Sequence, residues 1–295
     1  MTKSLTMTIV FQAGSLNYGE GIANISELKK FHRGNGEVYT YASRQSLRYD
    51  IVRLGNELFD WNLNTVDKAS GVVQFKKDVT IKDSVEMDLF GYLKTDKNSQ
   101  KRAAVVRLSH AISLEPYKSD LEFLNNMGLA SRIGMDANIA NIEQHQSFYT
   151  YTLTMDLNRV GVDGDVELSN AEKATRVQQL LDIVKILNRN IRGRRENLAP
   201  LFIIGGVYDV ANPFFLGKIF LSSSSQGWEI QSQPIVETMK QTFAGQTVGE
   251  QTRIGFLHGI FANEGEFADL FADKVGSIEQ FFQSISKQIQ TYYGV

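Results

Sequence analysis

The run from Ser169 to Ile191 constrains this chain more than any other segment. Ser169 and Glu172 have the spacing of a capping box, in which each side chain satisfies a backbone N–H at the other's position. Behind them Val177, Leu180, Leu181, Val184, Leu187 and Ile191 recur at steps of three and four. That spacing predicts a helix over about 170–191 with one buried face. Such a face needs a sheet or other helices to cover it. Strand-like segments flank it, "SFYTYTLTMDL" (147–157) before and "LAPLFIIGGVYDV" (198–210) after. Both are rich in β-branched and aromatic residues, which fit a pleated surface. The adjacent glycines of "IIGGVYD" have no helix-opening pattern behind them and read as a tight bend.

The first half repeats the logic. "SLTMTIVFQA" (4–13) reads as a strand, and Gly14, Gly19, Gly21, Gly34 and Gly36 mark a long loop after it. "YASRQSLRYDIVRLGNEL" (41–58) then opens a helix with Ser43 as N-cap and Leu47, Ile51, Leu54 and Leu58 as its apolar stripe. Residues 62–118 read as strands broken by polar turns. Within them "KTDKNSQKR" (94–102) is a solvated loop or hairpin tip and "AAVVRLSHAISL" (103–114) a strand. Residues 119–146, punctuated by Gly128 and Gly134, fit neither periodicity. "VDGDV" (162–166) is a turn, and 273–292 a helix through Val275, Ile278, Phe281, Phe282, Ile285 and Ile289. The order strand, helix, strands, helix, strand predicts an α+β sandwich of ferredoxin or RRM type with long insertions, one domain over 1–295.

Lys+Arg number 31 and Asp+Glu 33, a net charge of −2, which excludes a uniformly basic nucleic-acid coat but not a local basic stripe. With no cysteine there is no disulfide, thiolate metal site or cysteine nucleophile, and a reducing compartment is expected. The N-terminal segment lacks a signal-peptide core and no run is long enough to span a bilayer, so the expectation is a cytoplasmic protein with no membrane partner.

Catalytic signatures are scarce. There is no GxxxxGK[ST], no GxGxxG after a strand and no GxSxG. The four histidines lack metal-ligand spacing, so no metal, cofactor or catalytic residue is assigned. His110 reads as a structurally satisfied strand residue, and His145 as a solvated loop residue. Glu86 and Asp88 read as surface charge alternating on a strand, and Asp163 and Asp165 as a hairpin turn.

The arginines are more informative. Arg44 and Arg48 share one side of a first helical turn, where like charges repel weakly and the helix dipole disfavours cations. A phosphate bound there would meet free backbone N–H groups, a favourable dipole and two guanidinium groups. A second cluster, Arg189, Arg192, Arg194 and Arg195, has two readings: cations at a helix C-terminus, or bidentate phosphate ligands. Lys29, Lys30 and Arg33 make a third.

"MTIVFQAGSLNYGEGIANISELKKF" followed by "YTYASRQSLRYDI" resembles the opening of the DevR-like CRISPR-associated family, the type I-B version of the repeated backbone subunit of Cascade. The likeness continues in "DLFGYL" (88–93), "RAAVVRLSHAISLEP" (102–116), "FYTYTLTMDLNRVG" (148–161) and "RGRRENLAPLFIIGG" (192–206). The resemblance implies an RRM-like palm with inserted fingers and a protruding thumb. It also implies copies polymerised along one CRISPR RNA, each thumb displacing a guide nucleotide. Ser43, Arg44, Gln45 and Arg48 would then hold guide phosphates, with Asn17, Tyr18 and Lys29 of the first loop beside them. Arg192, Arg194 and Arg195 would contact the guide or a neighbouring copy. The thumb would occupy 118–146, with Met127, Leu129 and Met135 as wedges between bases or, equally, as local core. The implied partners are the CRISPR RNA, target DNA paired to it, further copies of the chain, and the large, small and guide-end subunits of Cascade. Both antiviral defence and RNA-guided transposition use this subunit type, so a transposition adaptor is a further candidate partner. Two rivals follow. Related type III subunits are metal-dependent endoribonucleases that cut with a loop aspartate, whereas "NISELKKFHRGNGE" offers only Glu27 and Glu37. A DNA-binding regulator would need a helix-turn-helix or dimer signature, which the sequence lacks.

Overall fold

The computed structural model describes residues 3–295 apart from 22, 69, 70, 72 and 96–98. Among the described residues nine strands form one sheet. They are β1 (Ser4–Gly14), β2 (Lys30–His32), β3 (Val38–Ala42), β4 (Val106–Leu108), β5 (Ala111–Ser113), then, after a hairpin of β6 (Asp120–Asn125) and β7 (Ile139–Gln144) outside the sheet, β8 (Gln146–Asp156). Beyond a ribbon of β9 (Asn188–Ile191) and β10 (Arg194–Asn197), the sheet adds β11 (Phe202–Tyr208), β12 (Thr252–Phe256) and β13 (Val275–Ser277). Their order across the sheet is β13, β12, β11, β1, β8, β5, β3, β2, with β4 also paired to β8. β1 is the spine, antiparallel to β8 from Ser4 opposite Asp156 to Gly14 opposite Gln146, and antiparallel to β11 on its other side.

Alternation along β1 sends Leu5, Met7, Ile9 and Phe11 to one face, where they meet Tyr149, Tyr151, Leu153 and Met155 of β8. Helices α1 (Arg44–Phe59), α3 (Asn170–Lys185) and α4 (Ile278–Tyr293) cover this face with Leu47, Ile51, Val177, Leu181, Phe281 and Ile285; the short α2 (Val85–Phe90) lies between α1 and α3 in the chain. Each fully buried aliphatic or aromatic side chain contributes about 1.5–3 kcal/mol. The opposite face, including Val10, Phe148, Phe202 and Ile204, packs on Phe215, Ile230, Phe261 and Phe267 of the segment between β11 and β13.

Several expectations change. The helix expected to reach Ile191 stops at Lys185, and "NRNIRGRREN" is instead the β9–β10 ribbon, so its arginines do not sit at a helix C-terminus. The turn is made by Arg192 (φ +47°) and Gly193 (φ +76°), the left-handed pair of a tight hairpin. Gly205 and Gly206 lie inside β11 rather than at a bend. A Cβ on Gly205 would stand 2.1 Å from the Thr6 carbonyl oxygen, so close backbone approach is the reason for glycine. Leu58 is exposed, and the buried Trp61 packs against Gly55 of α1. The C-terminal helix begins at Ile278, since 275–277 join the sheet. The 103–114 strand is divided into β4 and β5 at Ser109 and His110. Strands Tyr92–Lys94 and Gln100–Arg102 pair, as a hairpin over 94–102 requires, while its tip at 96–98 lies outside the described residues.

Glu86 and Asp88 are on helix α2, not a strand. Asp88 is fully buried, and its carboxylate accepts from Arg102 (2.7 Å), Arg176 (2.9 Å) and the Gly161 N–H (3.0 Å). His145 is buried rather than solvated, with Nδ1 2.7 Å from the Thr40 hydroxyl and its ring edge-on to Tyr117. Asp163 does sit in a hairpin, paired across it with Val166.

Candidate nucleic-acid interface

Ser43 starts α1. Its backbone is extended, and its hydroxyl accepts the Ser46 N–H (3.2 Å) and the Asn17 side-chain amide (3.2 Å), which ties the first loop to the helix tip. The Arg44 N–H donates to His110 Nδ1 (3.0 Å). Burial, followed by the charges of Arg44 and Lys29, holds the His110 pKa below its ordinary value, so the ring is neutral and able to accept near pH 7. Two of the N–H groups expected to be free are therefore already used. Among the described residues the Gln45 N–H is the first-turn amide left without a partner.

A groove of about 450 Å³ opens at this tip, lined by Arg44, Gln45, Arg48, Phe90, Ala104, Val106, Arg107 and Leu108. Arg44 is exposed and carries no ion pair among the described residues. Arg48 is half-buried, its Nη2 2.7 Å from Glu86 Oε1 and its guanidinium over the Phe90 ring. Arg107 comes from β4 and reaches Asp156 at 3.1 Å. Three guanidinium groups thus face two rim carboxylates, a cationic excess on a near-neutral protein. No sequence motif marks Arg107; its one signal is a lone arginine inside the apolar alternation "AVVRLSHA".

The remaining candidates divide. Lys29 is half-buried on the α1-tip side, its N–H donating to the carbonyl of Asn17, whose side chain reaches Ser43. Lys30 is engaged by Glu143 (2.7 Å), and Arg189 by Asp50 (2.7 Å) and the Leu16 carbonyl, so both are structural. Tyr18 donates to the Glu143 carbonyl and carries the Arg192 guanidinium 4.2 Å above its ring. Arg194 and Arg195 are exposed, with Arg194 3.6 Å from Glu196 and Arg195 bonded to Asn190. The arginine ribbon is thereby joined to the first loop but is not part of the groove. Met127, Leu129 and Met135 lie at the far end of the β6–β7 hairpin, 63 %, 61 % and 66 % exposed, which rules out local core for them. No group of three or more His, Asp or Glu side chains comes together as metal ligands among the described residues, and no helix there is long and apolar enough to cross a membrane.

This mixed α+β architecture has solved counterparts. A chain titled "CRISPR RNA-guided surveillance complex, pre-nicking" superposes with a TM-score of 0.62 at 11 % identity, covering 97 % of this chain and 100 % of its own. Another, titled "CRISPR RNA-guided surveillance complex", gives 0.59 at 12 % identity, covering 98 % and 99 %. The fold is thus one shared with chains of these two complexes. More particularly, the chain belongs to the family "CRISPR-associated negative auto-regulator DevR/Csa2", whose model matches residues 5–222. No curated protein sequence matches it significantly.

Proposed function

We propose that this protein is a non-catalytic, CRISPR RNA-binding backbone subunit of a type I-B Cascade complex. Copies polymerise along the guide and hold it by its phosphates at the tip of α1, leaving base edges to pair with target DNA. Phosphate contacts carry no sequence information, so one subunit accommodates any spacer. The observation that carries this reading is the groove at the first turn of α1, with Arg44, Gln45, Arg48 and Arg107 on its walls.

The topology supports an RRM-like palm. Taking β1, the β4–β5 segment, β8 and β11 as strands one to four, their order is 4-1-3-2, all neighbours antiparallel, with α1 and α3 on one face. The β6–β7 hairpin over 118–146 is then the thumb, and its exposed Met127, Leu129 and Met135 the wedges that displace a guide nucleotide. The ribbon arginines Arg192, Arg194 and Arg195 serve the guide or the adjoining copy. The large, small and guide-end subunits would complete a cytoplasmic particle, with a transposition adaptor joining where the system inserts DNA.

The experiment is guide binding by Arg44→Ala with Arg48→Ala, measured for several spacers. The expected result is an equal loss for every spacer, with wild-type protein assembling on the guide at a mass proportional to guide length. A loss that depends on spacer sequence would overturn the phosphate assignment.

A further inference from the structure

Beside the α1 tip, Phe31 and Tyr41 of the β2–β3 hairpin form a row of rings with His110. Phe31 pairs across the ladder with Tyr39, so their side chains share a face, and Tyr41 follows two residues on. Phe31 and Tyr41 stack with centroids 4.0 Å apart and planes 13° from parallel. His110 closes the row, 5.1 Å from Tyr41 and 5.9 Å from Phe31. Arg33 lies 4.5 Å over Tyr39, the cross-strand partner of Phe31, while the Arg44 N–H donates to His110 and the Lys29 carbonyl accepts the Tyr41 N–H at 3.0 Å. β2 is the edge of the sheet, and Phe31 keeps 37 % of its surface exposed.

A large ring left open at a sheet edge, with Arg33, Lys29 and Arg44 among the residues that flank it, lacks the apolar breadth of a protein-docking patch. It has the composition of a single-strand nucleic-acid track: flat faces for bases, guanidinium and ammonium groups for the phosphates between them. His110 belongs to both places, since its Nδ1 fixes the Arg44 amide while its ring extends the row. Resting on the phosphate-groove reading above, we propose that Phe31, backed by Tyr41 and His110, is a stacking platform for one base of single-stranded RNA whose neighbouring phosphate sits at Arg44.

The test uses the full chain with two polyanions, short oligoadenylate RNA and inorganic polyphosphate, which has charge but no bases. One stacked base is worth at least about 1 kcal/mol, so Phe31→Leu should weaken RNA binding about fivefold or more. It should leave polyphosphate binding unchanged, and Phe31→Trp should restore RNA affinity. Arg44→Ala should weaken both ligands. Unchanged RNA binding in Phe31→Leu, or equal weakening toward both polyanions, would overturn the platform. If Arg44→Ala still weakens both in that event, only the platform falls; if it weakens neither, the groove reading falls with it. The partly exposed position of Phe31 keeps the variant foldable, and an unchanged melting temperature verifies it.

Discussion

Arg44 and Arg48 stand one turn apart in the same groove, yet they should not behave alike. Arg44 is exposed with no ion pair among the described residues, whereas Arg48 is already held by Glu86 at 2.7 Å. A guanidinium that binds a guide phosphate displaces a counterion, and each such contact steepens the log–log salt dependence by about 0.7 for a single strand. Arg44→Ala should therefore flatten the slope by about 0.7 per protomer, so that a rise from about 50 to 200 mM salt costs about 2.6-fold less affinity than in wild type. Arg48→Ala removes a partly neutralised cation and also uncovers the Glu86 carboxylate in the groove. It should lose affinity while flattening the slope by less than Arg44→Ala does, and adding Glu86→Gln should recover part of that loss. Glu86→Gln alone frees Arg48 and should steepen the slope. The assay is equilibrium binding of a labelled guide across a salt series. An unchanged slope in Arg44→Ala, or a Glu86→Gln variant that binds less tightly than wild type, would refute the reasoning.

Other consequences concern stability and the hairpin. Asp88→Ala leaves Arg102 and Arg176 buried without their carboxylate, so denaturant unfolding should show a loss of about 3–5 kcal/mol. Burial, the leading cause in each case, holds the pKa values of His110 and His145 below the ordinary histidine value. The unfolded chain then binds more protons than the folded one just below pH 6.5, so stability should be fully present above that pH and decline as pH falls toward the lowered folded values. A pH series of unfolding free energies checks this, and a flat profile between neutral pH and pH 5 would contradict it. Met127→Ser with Met135→Ser should leave the melting temperature nearly unchanged, because both side chains are exposed, while altering the regular spacing of displaced guide nucleotides seen by chemical probing.

What could be read from the sequence followed strict periodicity. The strands at 4–13 and 147–157, the stripe on α3 and the N-caps Ser43 and Ser169 were legible because each depends on residues within one or two turns. The failures were tertiary. Asp88 looked like surface charge because its partners, Arg102, Arg176 and Gly161, lie far along the chain. The double glycine reads as a bend in sequence because the clashes it avoids are with backbone far along the chain, Thr6 for Gly205 and Gln251 for Gly206. The α1 tip was identified from its arginines, but Arg107, the Glu86 counter-ion and the His110 acceptor reach it only through the folding of β4 and α2 against α1. The ring row is not legible in sequence because Phe31, Tyr41 and His110 come from three separate segments.

The central claim, that the guide's backbone runs through the groove at the α1 tip, is tested most directly by photo-crosslinking a guide that carries azidophenacyl groups on backbone phosphorothioates and mapping the modified peptides. The account predicts adducts on the peptides carrying residues 44–48 and 104–108, at every substituted position along the spacer that meets a protomer. Adducts confined to the 188–197 ribbon or the sheet's far edge, with residues 44–48 and 104–108 unmodified, would contradict it.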